Sequence, residues 1–477
     1  MRIVLVHPAG YNWMPGRKDV AAIANRMAPL GLLSIAAYLE KLGHEVFVHD
    51  CLGPGAVSGT ELNSKIVLGY NPDLVGFSAT TSGFLDAYDM TVKIKEQMPG
   101  VKTVFGGVHI SSMGQVLLED FEYIDFLCKG EGELTLGELA DGLEPRDIAG
   151  LVWRDNGQVV TNPVREHIPD LDTLPFPAYE KLAGFPDKYN LPLFSYINTP
   201  GATMITSRGC PYQCSYCDRS VFKRGYRYNS AEFIYEHLLY LSKQFGVRHV
   251  TIYDDLFTAN RKRITKFCDL IISKPLGMHF NCAVRTGHAD DELLQMLKSA
   301  GFLQLSLGIE TGDPDLMKAH KPGVYIEEVK DTVRRIQAKG LRAKGLFMMG
   351  LPGETVESIK KTSDFVISLG LDDMNMSKFT PFHGAPLWKT IREYGELEED
   401  WRKMNCLNFV FLPKGIESKE ALTQLYNKHV KRFYSDWGWR KRFNKRIWEH
   451  RKSLWYAVKN LPGFLYAMRS FEPKKES

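Results

Sequence analysis

Hydrophobic and polar positions alternate in short blocks along the first 140 residues of the chain. Five apolar runs predict β-strands: Arg2–His7, Glu45–Asp50, Leu74–Ser78, Val101–Phe105 and Tyr123–Lys129. After the first of these, Pro29–Leu42 predicts a helix with one apolar face, formed by Leu32, Leu33, Ala36 and Leu39. Because each strand run is apolar through most of its length, we expect helices to cover both faces of a parallel sheet. The pattern therefore predicts a doubly wound, Rossmann-like α/β domain over residues 1–140.

Turns rich in glycine and small residues follow the predicted strands of this domain. They are Ser78-Ala79-Thr80-Thr81-Ser82, Gly106-Gly107-Val108-His109 and Gly130-Glu131-Gly132-Glu133. Ligands of doubly wound sheets bind in the crevice beyond the carboxyl ends of the strands. These turns are therefore the expected ligand-binding edge.

Residues 141–200 predict a linker, because prolines interrupt every long element. The prolines are Pro163, Pro169, Pro175, Pro177, Pro186 and Pro192. A small hairpin is expected within Gly150–Val160, where Asp155-Asn156-Gly157 is a turn between two β-rich runs.

Strand and helix patterns alternate again over residues 201–390. The strand predictions are Thr203–Thr206, His249–Tyr253, His279–Val284, Phe302–Leu307, Leu341–Met349 and Met374–Lys378, and Ser230–Phe245 predicts the first helix between them. Six β/α repeats in order predict an open, partial (β/α)6 barrel of the TIM type. Residues 391–477 predict a mainly helical C-terminal region.

Length and composition indicate an intracellular protein of two or three domains rather than a secreted or membrane-spanning one. Five of the eight cysteines are scattered, unlike a disulfide framework, so we expect a reducing, cytoplasmic setting. The N-terminus does not resemble a signal peptide, and no apolar run approaches the roughly 18 to 20 residues that a membrane span needs. The net charge of +4 is uneven, since the last 50 residues carry about +10.

The other three cysteines form the densest chemical motif in the chain, Cys210, Cys214 and Cys217, within Ser207-Arg208-Gly209-Cys210-Pro211-Tyr212-Gln213-Cys214-Ser215-Tyr216-Cys217-Asp218. Three thiolates at C-x3-C-x2-C spacing can hold an iron–sulfur cluster and leave one iron open for a small chelating molecule. The alternatives are a structural zinc site, with His109 or His237 as fourth ligand, or three unpaired core thiols.

This segment resembles the signature of the radical S-adenosylmethionine superfamily, including the aromatic Tyr216 before the third cysteine. The resemblance extends to the branch with an N-terminal cobalamin-binding domain, which includes the anaerobic Mg-protoporphyrin cyclase and the hopanoid and bacteriochlorophyll methylases. It implies a [4Fe-4S] cluster on the three cysteines, S-adenosylmethionine and cobalamin as cofactors. It also implies cleavage of S-adenosylmethionine to a 5′-deoxyadenosyl radical that abstracts hydrogen from an unactivated carbon.

The resemblance assigns cofactor contacts in the barrel. Asp254 and Asp255, in the segment after the second strand, are expected near the methionine amino group, although they could instead bind substrate or cap the next helix. Arg285 is expected on the methionine carboxylate, with a surface arginine as the alternative. Glu310 corresponds to the ribose contact. Gly350, in Gly350-Leu351-Pro352-Gly353-Glu354, resembles the turn near adenine, with an ordinary strand–helix turn as the alternative.

The first domain resembles cobalamin-binding domains at its loops. The residues that the resemblance places around the corrinoid are Ser78, Thr80, Gly106, Gly107, Gly130 and Glu131. The usual Asp-x-His-x-x-Gly motif is missing, because Asp50-Cys51-Leu52-Gly53 has leucine in the histidine position. This departure implies cobalamin bound without a protein histidine on cobalt. His7 and His109, at strand ends, are interpreted as loop or substrate-site histidines.

The basic tail contains an amphipathic helical pattern. Phe443, Ile447, Leu454, Val458 and Leu461 would share one face, with Trp448 and Trp455 along its flank. The simpler interpretation is that this face covers the open side of the barrel. The alternative is peripheral contact with a membrane surface, because basic, Trp-rich helices favour anionic interfaces.

Two classes of function follow from these patterns. The first is an enzyme that methylates a carbon of a hydrophobic (lipid or tetrapyrrole-like) or secondary-metabolite substrate, with cyclisation, oxidation or rearrangement as the alternative reaction. The expected partners are a small-molecule substrate and an electron donor such as flavodoxin or ferredoxin, without nucleic acid. The second class is a non-catalytic cobalamin-binding protein with a structural metal site.

Overall fold

The structure is a computed structural model that describes residues 1–10, 26–54, 56–57, 59–189, 196, 198–223 and 225–449. Two sheets dominate these residues, and each is built mainly from parallel strands connected by helices. None of the described helices has both the length and the apolar character needed to span a bilayer.

The first sheet has seven strands in the order β2-β1-β3-β4-β5-β6-β7. Its strands are β1 (Arg2–His7), β2 (Glu45–Asp50), β3 (Leu74–Ser78), β4 (Lys102–Gly106), β5 (Phe126–Cys128), β6 (Leu151–Asp155) and β7 (Gln158–Thr161). The first five are parallel, which confirms the doubly wound prediction. The hairpin β6–β7 pairs antiparallel with β5, so this sheet continues into the segment expected to be a linker.

The helices of this part cover both faces of the sheet. They are α1 (Leu30–Lys41), α2 (Thr60–Gly69), α3 (Phe84–Gln97), α4 (Val108–Met113), α5 (Val116–Asp120) and α6 (Gly132–Ala140). Alternate residues of β1 enter different cores, with Val4 and Val6 on one face and Ile3 and Leu5 on the other. This is why the strand reads as a continuous apolar run rather than an alternating one.

The second sheet has six parallel strands in the order β15-β14-β13-β12-β11-β8, which confirms the open half-barrel. Its strands are β8 (Gly201–Met204), β11 (His249–Ile252), β12 (His279–Val284), β13 (Phe302–Glu310), β14 (Arg342–Met349) and β15 (Asp373–Lys378). Short pairs outside it are β9 (Ser207–Arg208) with β10 (Arg227–Tyr228), and β16 (Gly395–Leu397) with β17 (Phe411–Pro413). The helices are α7 (Ala231–Phe245), α8 (Arg261–Ser273), α9 (Asp291–Ser299), α10 (Pro314–His320), α11 (Ile326–Ala338), α12 (Val356–Ser368) and α13 (Ile391–Tyr394).

Two C-terminal helices, α14 (Lys419–Ser435) and α15 (Trp437–Glu449), lie along the edge strand β15. Tyr426 and Tyr434 donate their hydroxyls to the carbonyls of Met376 and Met374, at 2.9 and 3.0 Å. Trp439 Nε1 continues this row with a 3.2 Å bond to Asp372 O. The helices therefore satisfy an edge that would otherwise expose unpaired carbonyls. The tail positions Leu454, Trp455, Val458 and Leu461 lie outside the described residues.

Candidate functional site

The cysteine loop lies between β9 and β10, at the carboxyl end of the barrel. The Cys210 and Cys214 side chains are partly exposed, Cys217 is exposed, and all three are free thiols. Gly209 enters the loop at φ 85°, and a Cβ there would stand 2.1 Å from Gly225 O. Only glycine fits this position, because a side chain would meet both strain and the opposing backbone.

Hydrogen bonds from α10 hold the middle of the loop. Ser215 N donates to His320 O at 3.0 Å, and Ser215 Oγ donates to His320 Nδ1 at 2.9 Å. His320 Nε2 in turn donates to Pro352 O at 2.8 Å, in the turn after β14. Burial lowers the pKa of His320, which agrees with a neutral ring that donates from one nitrogen and accepts at the other.

A second contact holds the loop from the side of β12. The hydroxyl of Tyr212 lies 2.8 Å from His288 Nε2, and Arg285 stacks on the Tyr212 ring with its Cζ 3.6 Å from the centroid. Arg285 also donates to the carbonyls of Pro322 and Gly323, at 2.9 and 3.3 Å. The structure therefore brings Arg285 to the cysteine loop and shows that part of its guanidinium is already occupied, while its contact with the methionine carboxylate stays a prediction.

The donor set fits an iron–sulfur cluster better than one metal ion. Within the described part of the chain, no three His, Cys, Asp or Glu side chains are arranged around a single ion. The proposed fourth zinc ligands are packed elsewhere: His237 stacks on Phe176, and His109 lies against Trp401. Three thiols spread around one loop can bind different irons of a cluster, whereas structural zinc requires four converging ligands.

Burial opposes ionisation of two of the three thiols, those of Cys210 and Cys217. Desolvation and the neighbouring thiol of Cys214 raise the pKa of Cys217 to about 12, and desolvation also raises the pKa of Cys210. Binding iron therefore has to release protons, as with other thiolate sites.

The Asp254 side chain is enclosed by the protein, although the sequence led us to expect it at the methionine of the cofactor. Its Oδ1 accepts from the backbone N–H groups of Thr206 and Ser207, at 2.5 and 3.1 Å, and its Oδ2 accepts from their hydroxyls at 2.6 and 2.7 Å. The carboxylate is completely enclosed, with Arg263 Nη2 at 3.5 Å. Asp254 thus fixes the chain that enters the cysteine loop, and the expected contact with methionine is corrected to a supporting one.

Asp255 takes the position that faces the cavity. Its Oδ2 accepts from Gly209 N at 3.2 Å, and desolvation raises the pKa of its carboxyl. A carboxylate beside the first cysteine can accept a hydrogen bond from an ammonium group, so the expectation for Asp255 agrees with this geometry.

Glu310 ends β13 beside the loop in a strained conformation. Its φ is 71°, in the left-handed region that non-glycine residues rarely adopt. Lys321 Nζ lies 2.8 Å from Glu310 Oε1 and 2.6 Å from Gly308 O. Desolvation, together with Glu310 and Cys214, raises the pKa of Tyr216, so Tyr216 stays protonated between the loop and β13. The sequence did not single out Lys321, because a lysine directly after a short helix carries no motif.

Gly350 begins the turn after β14 at φ 94°. Its N–H donates to Glu354 Oε2 at 2.5 Å, and burial raises the pKa of Glu354 to about 8. A Cβ at Gly350 would meet Phe409 at 3.4 Å, so this glycine faces the C-terminal segment. The turn is thus built around a buried Glu354 that the sequence did not assign.

One cavity lies between the first sheet and the barrel, with a volume of about 260 Å³, and it opens to solvent. Five of the six predicted corrinoid residues line it: Ser78, Gly106, Gly107, Gly130 and Glu131. Ser207, Arg208, Tyr253 and Asp255 line it from the barrel. Thr80 does not, since its hydroxyl lies at the surface 3.4 Å from Ser82 Oγ, and this expectation is corrected.

The inner wall of the cavity suits a large, partly apolar cofactor. Leu5, Gly76, Val104 and Leu136 give it a buried apolar lining, and the turns after the strands add backbone groups and polar side chains. Gly107, at φ 105°, is required there, because a Cβ would stand 2.8 Å from Ala79 O. Glu131 lines the cavity, but arginines and a backbone N–H occupy its carboxylate, so the expected cofactor contact is corrected to a wall position.

The two strand-end histidines lie outside the cavity wall. His7 Nδ1 lies 2.9 Å from Asp50 Oδ1, and Tyr189 donates to Asp50 Oδ2 at 2.9 Å. Burial opposes the charge of Asp50, but the bond from His7 lowers its pKa. His109 is buried against Phe84, and burial lowers its pKa to about 3. Neither histidine is among the residues that line the cavity.

Family models match both parts of the chain. The Radical SAM superfamily model matches residues 204–366, and the B12 binding domain model matches residues 16–140. An uncharacterized methyltransferase of Pyrococcus horikoshii is 30% identical over 441 residues, covering 91% of this chain and 92% of the relative. The anaerobic magnesium-protoporphyrin IX monomethyl ester cyclase of Cereibacter sphaeroides is 27% identical over 449 residues, covering 91% of this chain and 70% of the relative.

A solved structure shares the fold of most of the chain. The radical S-adenosylmethionine methyltransferase TsrM from Kitasatospora setae, with tryptophan substrate and aza-SAM bound, superposes with a TM-score of 0.64 at 21% identity. The match covers 82% of this chain and 76% of that one. At this level of identity the likeness establishes a common fold.

Proposed function

The chain belongs to the radical S-adenosylmethionine superfamily, in the branch with a B12-binding domain, and we propose that it methylates a carbon atom of a small-molecule substrate. When bound, the cluster supplies the electron that cleaves S-adenosylmethionine to methionine and a 5′-deoxyadenosyl radical, and cobalamin supplies the methyl group. The observation that carries the proposal is that one cavity is lined both by the turns of the first sheet and by β9, which leads into the cysteine loop.

We propose the following roles for the residues around the loop. Cys210, Cys214 and Cys217 hold the cluster, and Asp255 accepts from the methionine ammonium. Arg285 donates its free N–H groups to the methionine carboxylate, while the stack on Tyr212 keeps the guanidinium in place. Glu310, oriented by Lys321, accepts a ribose hydroxyl, and Tyr216 fills the space between the loop and β13. Ser78, Gly106, Gly107 and Gly130 form the corrinoid edge.

The test begins with anaerobic reconstitution and extraction of cofactors. We expect a brown protein that contains corrinoid and forms 5′-deoxyadenosine under reduction. Incubation with S-adenosylmethionine labelled in its methyl group and a lipid and tetrapyrrole fraction should then put the label on a carbon of one product. The Cys214→Ala variant is the matched control, because it keeps the cavity and loses the cluster. Reconstituted protein without corrinoid would refute the proposal.

The second candidate is a ring closure or oxidation that uses the radical without methyl transfer. The name of the Cereibacter sphaeroides relative, a cyclase, favours it. The same experiment separates the two reactions. A product that forms with 5′-deoxyadenosine but carries no label establishes the second candidate and rejects methylation.

We propose a hydrophobic or secondary-metabolite substrate, a flavodoxin or ferredoxin as electron donor, and a cytoplasmic enzyme that touches the membrane through α15. Trp437 and Trp448 support the last point, with 78% and 75% exposure on a basic helix. Arg442 and Arg446 argue for docking on the barrel instead, since they donate to Leu371 O and Asp372 O.

Sedimentation with anionic vesicles tests the membrane contact. The double variant Trp437→Ser and Trp448→Ser should reduce binding, whereas Trp401→Phe, in the buried cluster beside His109, should leave it unchanged. Equal sedimentation of the wild type and the double variant would reject this contact and leave the proposed reaction intact.

A further inference from the structure

Four charged side chains beside the cavity join the turn after β5 to the β9–β10 strand pair, and we call them the arginine–glutamate cluster: Arg208, Arg227, Glu131 and Glu133. Arg208 lies on β9 and Arg227 opposite it on β10, while the two glutamates flank Gly132 after β5. Arg208 Nη1 lies 2.6 Å from Glu131 Oε1, and Arg208 Nη2 lies 2.5 Å from Glu133 Oε1. A single guanidinium thus bridges two carboxylates of the first domain.

Every carboxylate oxygen of Glu131 has a donor. Arg227 donates to both oxygens, at 3.0 and 3.1 Å, and Ile168 N adds a third bond at 3.0 Å. Ser34 Oγ, on helix α1, donates to Glu133 at 2.7 Å. Burial disfavours the charge of Glu133, but Arg208 holds its pKa below the usual value. Two guanidinium groups thus face two carboxylates, and their formal charges cancel within the arginine–glutamate cluster.

The side chains of the cluster are almost enclosed, with exposures of 4% for both glutamates and 14–15% for the arginines. Buried ion pairs gain little net stability, because desolvation offsets most of the attraction. Their geometry is nevertheless strict, since a displaced partner leaves an unpaired charge in the interior. This cluster is thus better suited to fixing a distance than to stabilising the fold.

The arginine–glutamate cluster lies directly beside the cysteine loop. Arg208 precedes Cys210 by two residues, so it is covalently close to the first thiolate. At the other end of the loop, Ser220 Oγ donates to Val108 O at 3.3 Å, in the turn after β4. The loop is therefore tied on both flanks to turns that border the cavity.

We propose that Arg208 is a positioning residue that sets the distance between the iron–sulfur cluster on the cysteine loop and the corrinoid in the cavity. The proposal rests on the proposed function, since it needs both cofactors. Reactive groups must be held within about 0.5 Å of their productive geometry. Arginine suits this task, because its planar fork can bind two carboxylates in fixed directions, whereas the ammonium of lysine cannot.

The test measures the magnetic interaction between the reduced cluster and cobalt(II) in the reconstituted holoenzyme by electron paramagnetic resonance. The dipolar splitting varies with the inverse cube of the distance between the two centres. We expect Arg208→Gln and Glu133→Gln to bind iron and corrinoid in wild-type amounts and to show a shifted splitting. We also expect a shift in Arg208→Lys, together with more 5′-deoxyadenosine released for each methyl group transferred.

Arg165→Gln is the matched control. Arg165 is also 14% exposed and pairs with Glu138 on helix α6, but its partners Thr135, Ala149 and Glu138 all lie outside the barrel. It should keep the wild-type splitting even if its thermal stability falls. A merely stabilising role for Arg208 would lower the melting temperature of both variants and shift the splitting in neither.

The outcomes separate the positioning role of Arg208 from the proposed methylation reaction. An unchanged splitting in Arg208→Gln with both cofactors bound overturns the positioning role and leaves the proposed reaction standing. If Arg208→Gln loses a cofactor, Arg208→Lys decides: a shifted splitting supports the role and an unchanged one overturns it. A wild-type protein without corrinoid overturns both proposals.

Discussion

The cysteine loop is held by side chains from the barrel, whereas the turns that face it from the first sheet are shaped mainly by glycine backbone. Tyr212 and Ser215 bond to histidines on two sides of the loop, and Asp254 fixes its entrance. Across the cavity, Gly107 and Gly130 carry positive φ angles and present backbone to the open space. The cysteine loop binds its cofactor through specific ligand atoms, whereas the turns of the first sheet bind theirs through the shape of the space that they leave.

This difference predicts how the two regions tolerate substitution. A cluster needs particular atoms, so changing one ligand removes it entirely. A large organic cofactor is bound by many weak contacts, so a substitution abolishes its binding only if the new side chain fills the binding cavity. The following predictions are ordered from the largest expected effect.

Replacing one ligand should abolish the radical chemistry but spare the first domain. We expect Cys214→Ala to lose its iron and all formation of 5′-deoxyadenosine, because two thiolates cannot retain the cluster. Corrinoid content should stay near the wild-type value. Iron analysis and an absorption spectrum of the extracted protein measure both effects.

The control for this variant is Cys406→Ala, since Cys406 is a free thiol after the barrel strands. Its iron content should equal that of the wild type. Simultaneous loss of corrinoid from Cys214→Ala would show that the two regions do not bind their cofactors independently.

Adding a side chain in the turn after β4 should have the converse effect, reducing corrinoid binding rather than iron binding. A Cβ on Gly107 would lie 2.8 Å from Ala79 O, so Gly107→Ala must shift the turn and reduce corrinoid binding. Gly130 has a similar φ but no atom within 4 Å of the added Cβ, so Gly130→Ala should cost only about 1 kcal/mol of backbone strain. Corrinoid titration followed by absorbance compares the two, and equal affinities would contradict the steric argument.

The sequence predicted the strands of both sheets and the three ligands because these depend on local signals. Apolar runs predict buried strands, and the cysteine spacing predicts the cluster. Arg208 and Glu133 could not be paired in advance, since their partnership depends on how two distant segments meet. The same holds for Thr80: its turn follows the expected strand, but its exposed hydroxyl lies beside Ser82 Oγ and Thr80 is not among the residues that line the cavity.

The adjacent residues Asp254 and Asp255 show the limit most clearly. Both follow β11, and only three-dimensional packing separates an enclosed carboxylate from one that faces the cavity. The peptide direction after the strand determines which of the two turns inward. Their sequence context was therefore equally consistent with either as the cofactor contact.

These two aspartates provide the third prediction. Asp254→Asn removes a charged acceptor from four hydrogen bonds, each of which contributes on the order of 1.5–3 kcal/mol, so we expect a clear loss of unfolding free energy. Asp255→Asn should change stability little and weaken binding of S-adenosylmethionine. Chemical denaturation and isothermal titration measure the two effects, and the reverse pattern would exchange the roles given to these residues.

The smallest expected effect concerns the turn that supports the loop through His320. Burial raises the pKa of Glu354 to about 8, while the unfolded chain has an ordinary carboxyl. Between pH 5 and 8 the folded protein therefore binds more protons than the unfolded one at this group, and its contribution to stability falls as the pH rises. The Glu354→Gln variant cannot titrate, so its unfolding free energy should decline less steeply over this range. Glu357→Gln, on the exposed side of α12, serves as the control and should follow the wild-type curve. Parallel curves for Glu354→Gln and the wild type would mean that Glu354 is ionised in the folded protein, and that the turn beneath the cysteine loop is more hydrated than its packing implies.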